Sequence, residues 1–314
     1  MLPINLFPLI KSSYGFALTE KCPYMYFADL VVGETTCDGK KKMYELLSEI
    51  KNVHVMQLPQ TQNDEVSKEL WYKEVLAFKD RIEKDLDVTI TDEDIKHAVK
   101  LKNEERKLLK EFYELSKSLP PPISGREQLK VLYGSQFKFD IEAKNKELRE
   151  TIDKVKADYE NGVENVPKTA KRILITGCPL AGVTEKIVTA IEESGGVVVA
   201  YENCIGVKPA NRLVDEDGDP YKALAERYLN IGCSVMTPNN NRMELLTSLV
   251  DEFNVDGVVE MTLQACHTYN IETNIVRNLL QKQDIPFISV ETDYSTSDVA
   301  QIKTRMAAFI EMIS

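Results

Sequence analysis

"RILITGCPLAGVTEKIVTAIEESGGVVVAYEN", Arg172 to Asn203, decides the fold. "RILITG" is a short, almost wholly apolar run and reads as a strand. "GVTEKIVTAIEES" places Ile187, Val188 and Ile191 on one helical face, and Gly195 and Gly196 close it. "VVVAYEN" returns as a second apolar strand. Strands this apolar, joined through a helix, belong to a parallel sheet covered on both faces.

Downstream the same alternation repeats. After the loop "DEDGDP" come helices at "YKALAERYLN" and "RMELLTSLVDEF", then a strand at "VDGVVEMTL" and a helix at "IETNIVRNLLQKQ". A strand at "PFISVET" follows, and a closing helix "SDVAQIKTRMAAFIEMI" with Ser297 or Asp298 as its cap. Upstream, "YMYFADLVVG" is read as a strand, followed by a helix from Lys40 to about Ile50 and a strand at "VHVMQLP". From Asp64 to Asn161 the chain turns into charged amphipathic helices. One opens at Thr91 with Asp94 three residues on, a capping-box-like start. Its expected buried stripe is Ile95, Ala98, Val99, Leu108, Leu109, Phe112 and Leu115, and Pro120 to Pro122 must end it. "NGVENVPKTAK" reads as a linker.

The expected fold class is therefore α/β, with two doubly wound Rossmann-like (flavodoxin-like) parallel-sheet domains and an inserted helical subdomain. The expected boundaries are 1–165 for the N-terminal α/β domain, with the helical subdomain at 64–161, and 166–314 for the C-terminal α/β domain. Two strands make a small sheet, so the first domain is short of strands at its N-terminus.

The 314 residues are 43% hydrophobic and 28% charged, ordinary for folded domains. A net charge of -11 argues against a phosphate-backbone binder, so no nucleic-acid partner is expected. No apolar run reaches the roughly 18 residues of a membrane span, and "MLPINLFPLI" lacks a basic region with a cleavage site. The expectation is a cytoplasmic protein with no membrane partner. There, six cysteines are free thiols, catalytic groups or metal ligands rather than disulfides.

Ligands of open α/β sheets bind beyond the carboxyl ends of the strands. Cys37, Cys178, Cys204 and Cys266 each follow an expected strand, and Cys22 and Cys233 lie in loops. Buried incidental thiols are one reading. Zinc is disfavoured by the lack of a C-x₂₋₄-C pair, whereas separated single cysteines suit an iron–sulfur cluster. Thiolate chemistry without metal is a third reading, since Cys37 and Cys178 precede expected helices. "GCPLAGVT" has the place of a phosphate loop, but Val183 stands where its lysine would be. His54, His97 and His267 form no metal triad by spacing, and His267 adjoins Cys266. The lysines Lys40 to Lys42 read as a solvated helix face, placed also to meet an anionic cofactor tail.

"NLFPLIKSSYGFAL", "CPYMYFADLVVGETTCDGKKKMYE", "GCPLAG", "ENCIGVKP", "MTPNNNRMELL", "LQACHTYNIE" and "VETDYSTSDVAQIKTRMAAFIE" together resemble the 2-hydroxyacyl-CoA dehydratase and benzoyl-CoA reductase family, component D type. Within it they are most similar to the branch carrying a double-cubane iron–sulfur cluster, and the likeness runs from about residue 3 to the C-terminus. The resemblance implies a [4Fe-4S] or [8Fe-9S] cluster, anaerobic chemistry, and low-potential electrons from a separate ATP-hydrolysing iron–sulfur activator protein. It also implies a small-molecule or acyl-CoA substrate and a homodimer or a heterodimer with a homologue. The activity implied is ATP-dependent reduction or 2-hydroxyacyl-CoA dehydration. The alternative is a non-catalytic or truncated cluster-binding paralogue acting in a regulatory or partner role. Cys37 and Cys266 match the family's second and third cluster ligands. Cys22, Cys204 and Cys233 match cysteines of the double-cubane branch and complete the implied metal ligands. Cys178 is typical of the branch as ligand or neighbour. Phe7 stands where relatives have the first ligand cysteine. Relatives also carry a segment ahead of the matched region, in line with the strand shortage.

Overall fold

The structure, a computed structural model, describes residues 2–178 and 182–313. α1 (Pro8–Leu18) and α2 (Pro23–Phe27) both begin on proline, whose missing N–H and fixed φ suit the first helical position. β1 (Val31–Glu34) pairs in parallel with β2 (Val53–Met56), Val31 opposite Val53 and Glu34 opposite Met56, and α3 (Asp38–Leu47) makes the crossover. Pro23 thus turns the first part of "YMYFADLVVG" into a helical turn, leaving a shorter strand than the apolar run implies.

Helices follow. α4 (Glu65–Leu86) is capped by Asp64, whose carboxylate accepts the Ser67 N–H at 2.8 Å. α5 (Asp92–Glu114) opens with the expected reciprocal box: Thr91 N–H donates to Asp94 at 2.9 Å and Asp94 N–H to Thr91 Oγ1 at 3.2 Å. Val99, Leu108, Leu109 and Phe112 are buried along it, whereas Ala98 is exposed and Tyr113 is buried in addition. α5 gives way to a 3₁₀ turn at Leu115–Lys117 before the prolines. α6 (Gly125–Ser135) starts from a Ser124/Glu127 capping box and α7 (Ile141–Glu160) from Asp140.

Strands and helices then alternate as β3 (Lys171–Gly177), α8 (Val183–Glu193), β4 (Gly196–Glu202), α9 (Pro220–Leu229), α10 (Asn240–Glu252), β5 (Gly257–Leu263), α11 (His267–Gln281), β6 (Phe287–Thr292) and α12 (Val299–Met312). Asp298 takes the cap position of α12 but makes no cap bond, because its carboxylate is held by Lys186 Nζ and Thr292 Oγ1, each at 2.6 Å. No described helix is long and apolar enough to cross a membrane.

The chain forms two compact units. The first comprises Met1–Lys100, Val214–Arg242 and Leu263–Thr268. It holds the β1–β2 sheet and small cores of Ile10, Ala17, Met43, Tyr44 and Leu47, of Met56, Trp71, Ala225, Leu229 and Met236, and of Val99, Val214 and Ala223. The second comprises Leu101–Leu213, Met243–Thr262 and Tyr269–Ser314. Its four-stranded sheet runs β4-β3-β5-β6, with β3 parallel to both neighbours and Ile173, Leu174 and Ile175 wholly buried. β4 and β5 lie on opposite sides of β3, the doubly wound order, so a crevice opens beyond the carboxyl ends of β3 and β5. Gly177 ends β3 there at φ 108°, and a Cβ on it would lie 2.0 Å from the Met261 carbonyl oxygen, so only glycine fits.

Candidate functional site

In the first unit Phe7 stands immediately before α1, Cys22 before α2 and Cys37 before α3. Cys22 uses its sulfur as the cap, accepting the Met25 N–H at 3.5 Å. Cys37 makes no side-chain cap bond and is extended, φ -133° and ψ 163°. Phe7, Met25 and Cys37 pack on the same small core of Ile10, Met43, Tyr44 and Leu47. The α1, α2 and α3 starts therefore gather around one cluster of side chains. Lys40, a turn into α3, lies 5.6 Å from the Tyr44 ring centre. Burial alone would lower its pKa, but Tyr44, Glu34 and Cys37 outweigh burial and hold it above the ordinary lysine value. Lys41 and Lys42 pair with Asp38 and Glu45 on the exposed face of α3.

A second group in the same unit joins Cys233 to Cys266. Cys233 is half-buried against Met56, Trp71 and Leu229, and its carbonyl accepts the Asn239 amide at 2.9 Å. The next residue, Ser234, donates to Thr268 Oγ1 at 3.1 Å, and Thr268 Oγ1 lies 3.7 Å from the buried Cys266 sulfur. Cys266 follows Ala265 at φ 60°, a strained setting for a residue with a Cβ, directly before α11. His267 is exposed at the first position of that helix. His54 stacks on Phe78 at 5.5 Å, and burial, then Arg81, lowers its pKa.

In the second unit Cys178 is buried just past Gly177, its N–H donating to the Met261 carbonyl at 2.8 Å. The stretch "GCPLAGVT" falls in part on 179–181, outside the described residues; Gly182 (φ 78°) leads into Val183, the buried first residue of α8. Cys204 is exposed on the turn after β4.

Reading strand ends located the cysteines but missed a polar cluster beneath them. Glu202 on β4, Thr176 on β3 and Glu260 on β5 stand side by side in register, all at 0% exposure. Thr176 Oγ1 donates to Glu202 Oε2, and Lys208 Nζ lies 2.7 Å from Glu202 Oε1. The signal was a carboxylate inside each of two apolar runs, "VVVAYEN" and "VVEMTL", where a charge must find a buried partner.

Six thiols on loops are the right donors for a thiolate-held cluster. Among the described residues no group of three or more His, Cys, Asp and Glu side chains is set to hold a metal ion. Phe7, packed on the same core as Cys37, offers no donor atom.

Residues 1–313 match the family model described as 2-hydroxyglutaryl-CoA dehydratase, D-component. The chain belongs to this family. Among similar proteins, "Putative dehydratase subunit YjiM" of Escherichia coli (strain K12) is 53% identical over 313 residues, 99% of this chain and 81% of the relative. The (R)-phenyllactyl-CoA dehydratase beta subunit of Clostridium sporogenes is 24% identical over 88% of this chain and 73% of its own length. One of the benzoyl-CoA reductase subunits of Thauera aromatica is 21% identical over 96% of this chain and 78% of its own length. Proteins similar to this chain thus carry names of both dehydratases and reductases. The family match spans both compact units and every cysteine described above.

Proposed function

We propose that this chain is a cluster-binding subunit of a 2-hydroxyacyl-CoA dehydratase or benzoyl-CoA reductase type enzyme in the cytoplasm. Its thiols Cys22, Cys37, Cys204, Cys233 and Cys266 are the proposed ligands of an iron–sulfur cluster, double-cubane or [4Fe-4S]. A separate ATP-hydrolysing activator supplies its electrons, and the chain pairs with a second copy or with a homologue. The observation that carries this reading is the family match over residues 1–313, which includes all five of these cysteines. Such a cluster, when bound, supplies single low-potential electrons to a small or acyl-CoA substrate.

The chain's own residues supply the frame. α1, α2 and α3 start around one core, on which Cys37 packs and to which Met25, one turn past Cys22, is added, while the Ser234–Thr268 bond ties the Cys233 turn to the Cys266 turn. Gly177 holds β3 against Met261 at the crevice.

A second reading, a non-catalytic cluster-binding partner protein, is favoured by one observation: Phe7 occupies the cap position that corresponds to Cys22 and Cys37 on the neighbouring helices. Anaerobic reconstitution with iron and sulfide tests the proposal. Stoichiometric iron and acid-labile sulfide, with visible absorption that bleaches in air, is the expected result; a colourless, iron-free chain overturns both readings. With iron bound, turnover of a 2-hydroxyacyl-CoA in the presence of activator and ATP separates an enzyme from a silent partner.

A further inference from the structure

The turn after β4 is buried at every position from Glu202 to Lys208 except one, Cys204. A loop that turns back through protein interior must satisfy its backbone internally, and several bonds here serve that need. Val207 N–H donates to the Tyr201 carbonyl at 2.9 Å, and the Tyr113 hydroxyl donates to the same oxygen at 3.0 Å. Asn203 turns the chain, its carbonyl accepting Gly206 N–H at 3.1 Å and its side-chain oxygen accepting Ile205 N–H at 3.2 Å. Gly206 lies so close to Tyr201 that a Cβ would stand 1.9 Å from the Tyr201 oxygen. The two ends are joined by charge: Lys208 and Glu202, with side chains 2% and 0% exposed, meet at 2.7 Å, and Thr176 holds the other carboxylate oxygen. The Lys208 ammonium sits 6.0 Å over the Tyr269 ring.

A buried ion pair adds little net stability over apolar residues of the same size, and its best-attested use is to fix one arrangement among several. Here the arrangement fixed is a turn with a single outward side chain.

We propose that Glu202 and Lys208 are positioning residues: their ion pair staples the ends of the 203–207 turn and holds Cys204 at the surface on a backbone ordered in advance. A ligand on such a turn loses little conformational freedom when it binds. The use of Cys204 as a cluster ligand rests on the function proposed above; the staple does not.

The test uses the full chain. Hydrogen exchange is followed by mass spectrometry on the peptide spanning 203–208 in metal-free protein, and iron per chain is measured after anaerobic reconstitution. Glu202→Gln/Lys208→Met removes both charges while Gln keeps an acceptor for Thr176. It is expected to speed exchange in 203–208 about tenfold, with β3 and β5 peptides unchanged. Lys208→Arg, which keeps the charge, should restore slow exchange. Unchanged exchange in the double variant overturns the staple, as does faster exchange spread evenly over the second unit. If the double variant does not fold, Thr176→Val loosens Glu202 alone; acceleration confined to 203–208 supports the staple, and its absence overturns it. Cys204→Ser separates the two claims. Loss of iron in Cys204→Ser together with slower iron uptake in the double variant upholds both. Unchanged iron in Cys204→Ser, with the turn loosened in the double variant, retires Cys204 as a ligand and leaves the staple standing.

Discussion

Phe7 occupies on α1 the place that Cys22 and Cys37 occupy on α2 and α3, packed on the core that Cys37 also touches. An aromatic ring there contributes packing and no lone pair. Phe7→Cys exchanges one for the other, so metal-free protein should lose about 1–3 kcal/mol of stability in urea unfolding. Iron per chain after reconstitution should rise, and oxidative loss should slow. If iron content, spectrum and air sensitivity are unchanged, Phe7 is not at a ligand position. Asp298 gives a pH prediction of definite sign. Burial pushes its pKa up, but the bonds from Lys186 and Thr292 outweigh burial and hold the carboxyl below its ordinary value. The unfolded chain therefore takes up a proton at higher pH than the folded one. The contribution of Asp298 is fully present above the ordinary aspartate value of about 3.9 and fades as pH falls through the depressed folded value. Wild type should be more stable than Asp298→Asn near neutrality by about 1–3 kcal/mol, and the gap between their urea midpoints should close in acid. A gap independent of pH would mean that Lys186 does not act on this carboxylate. The sequence marks Asp298 as a helix cap; that it spends its oxygens on a lysine over a hundred residues away is tertiary information, invisible in local pattern.

At the level of elements, Arg172 at the start of β3 fastens the end of the α5 segment. Its guanidinium donates to the carbonyls of Phe253 at 2.7 Å, Ser118 at 3.1 Å and Ser116 at 2.7 Å, just where the prolines stop the helix. Arg172→Met would leave three carbonyls without their donor, so a loss of about 3–5 kcal/mol is expected in chemical denaturation. A loss under about 1 kcal/mol would show that water replaces the guanidinium. The strands and helices after Arg172 were legible because apolar runs and helical periodicity alternate without ambiguity, and β3 and β4 fall where the runs do. "YMYFADLVVG" misled because a continuous apolar run carries no period. Pro23 is the local cue to a helix start, and Tyr24, Tyr26 and Phe27 on it remain exposed. The cysteines were legible as residues just past strands. The Glu202–Lys208 pair was not, because pairing across a turn depends on which side chains the fold buries, and "ENCIGVK" alone reads as an ordinary polar loop.

For the molecule as a whole, the lack of a phosphate-loop lysine is decisive for one assay. Val183, not a cation, is buried at the start of α8. Pure chain should show no ATP hydrolysis above a protein-free blank, and measurable turnover would show that nucleotide is bound elsewhere on it. The six thiols also differ in access over the surface. Cys178 and Cys266 are buried, Cys22, Cys37 and Cys233 are half-buried, and Cys204 alone is exposed. Peroxide reaches sulfur by collision, and the first product, a sulfenic acid, forms fastest where a thiol meets solvent. The turn that holds Cys204 outward therefore also makes it the first sulfur to oxidise in metal-free protein. Trapping with dimedone should label the 203–208 peptide before any other cysteine peptide, so the age of a sample left in air can be read from that one mass.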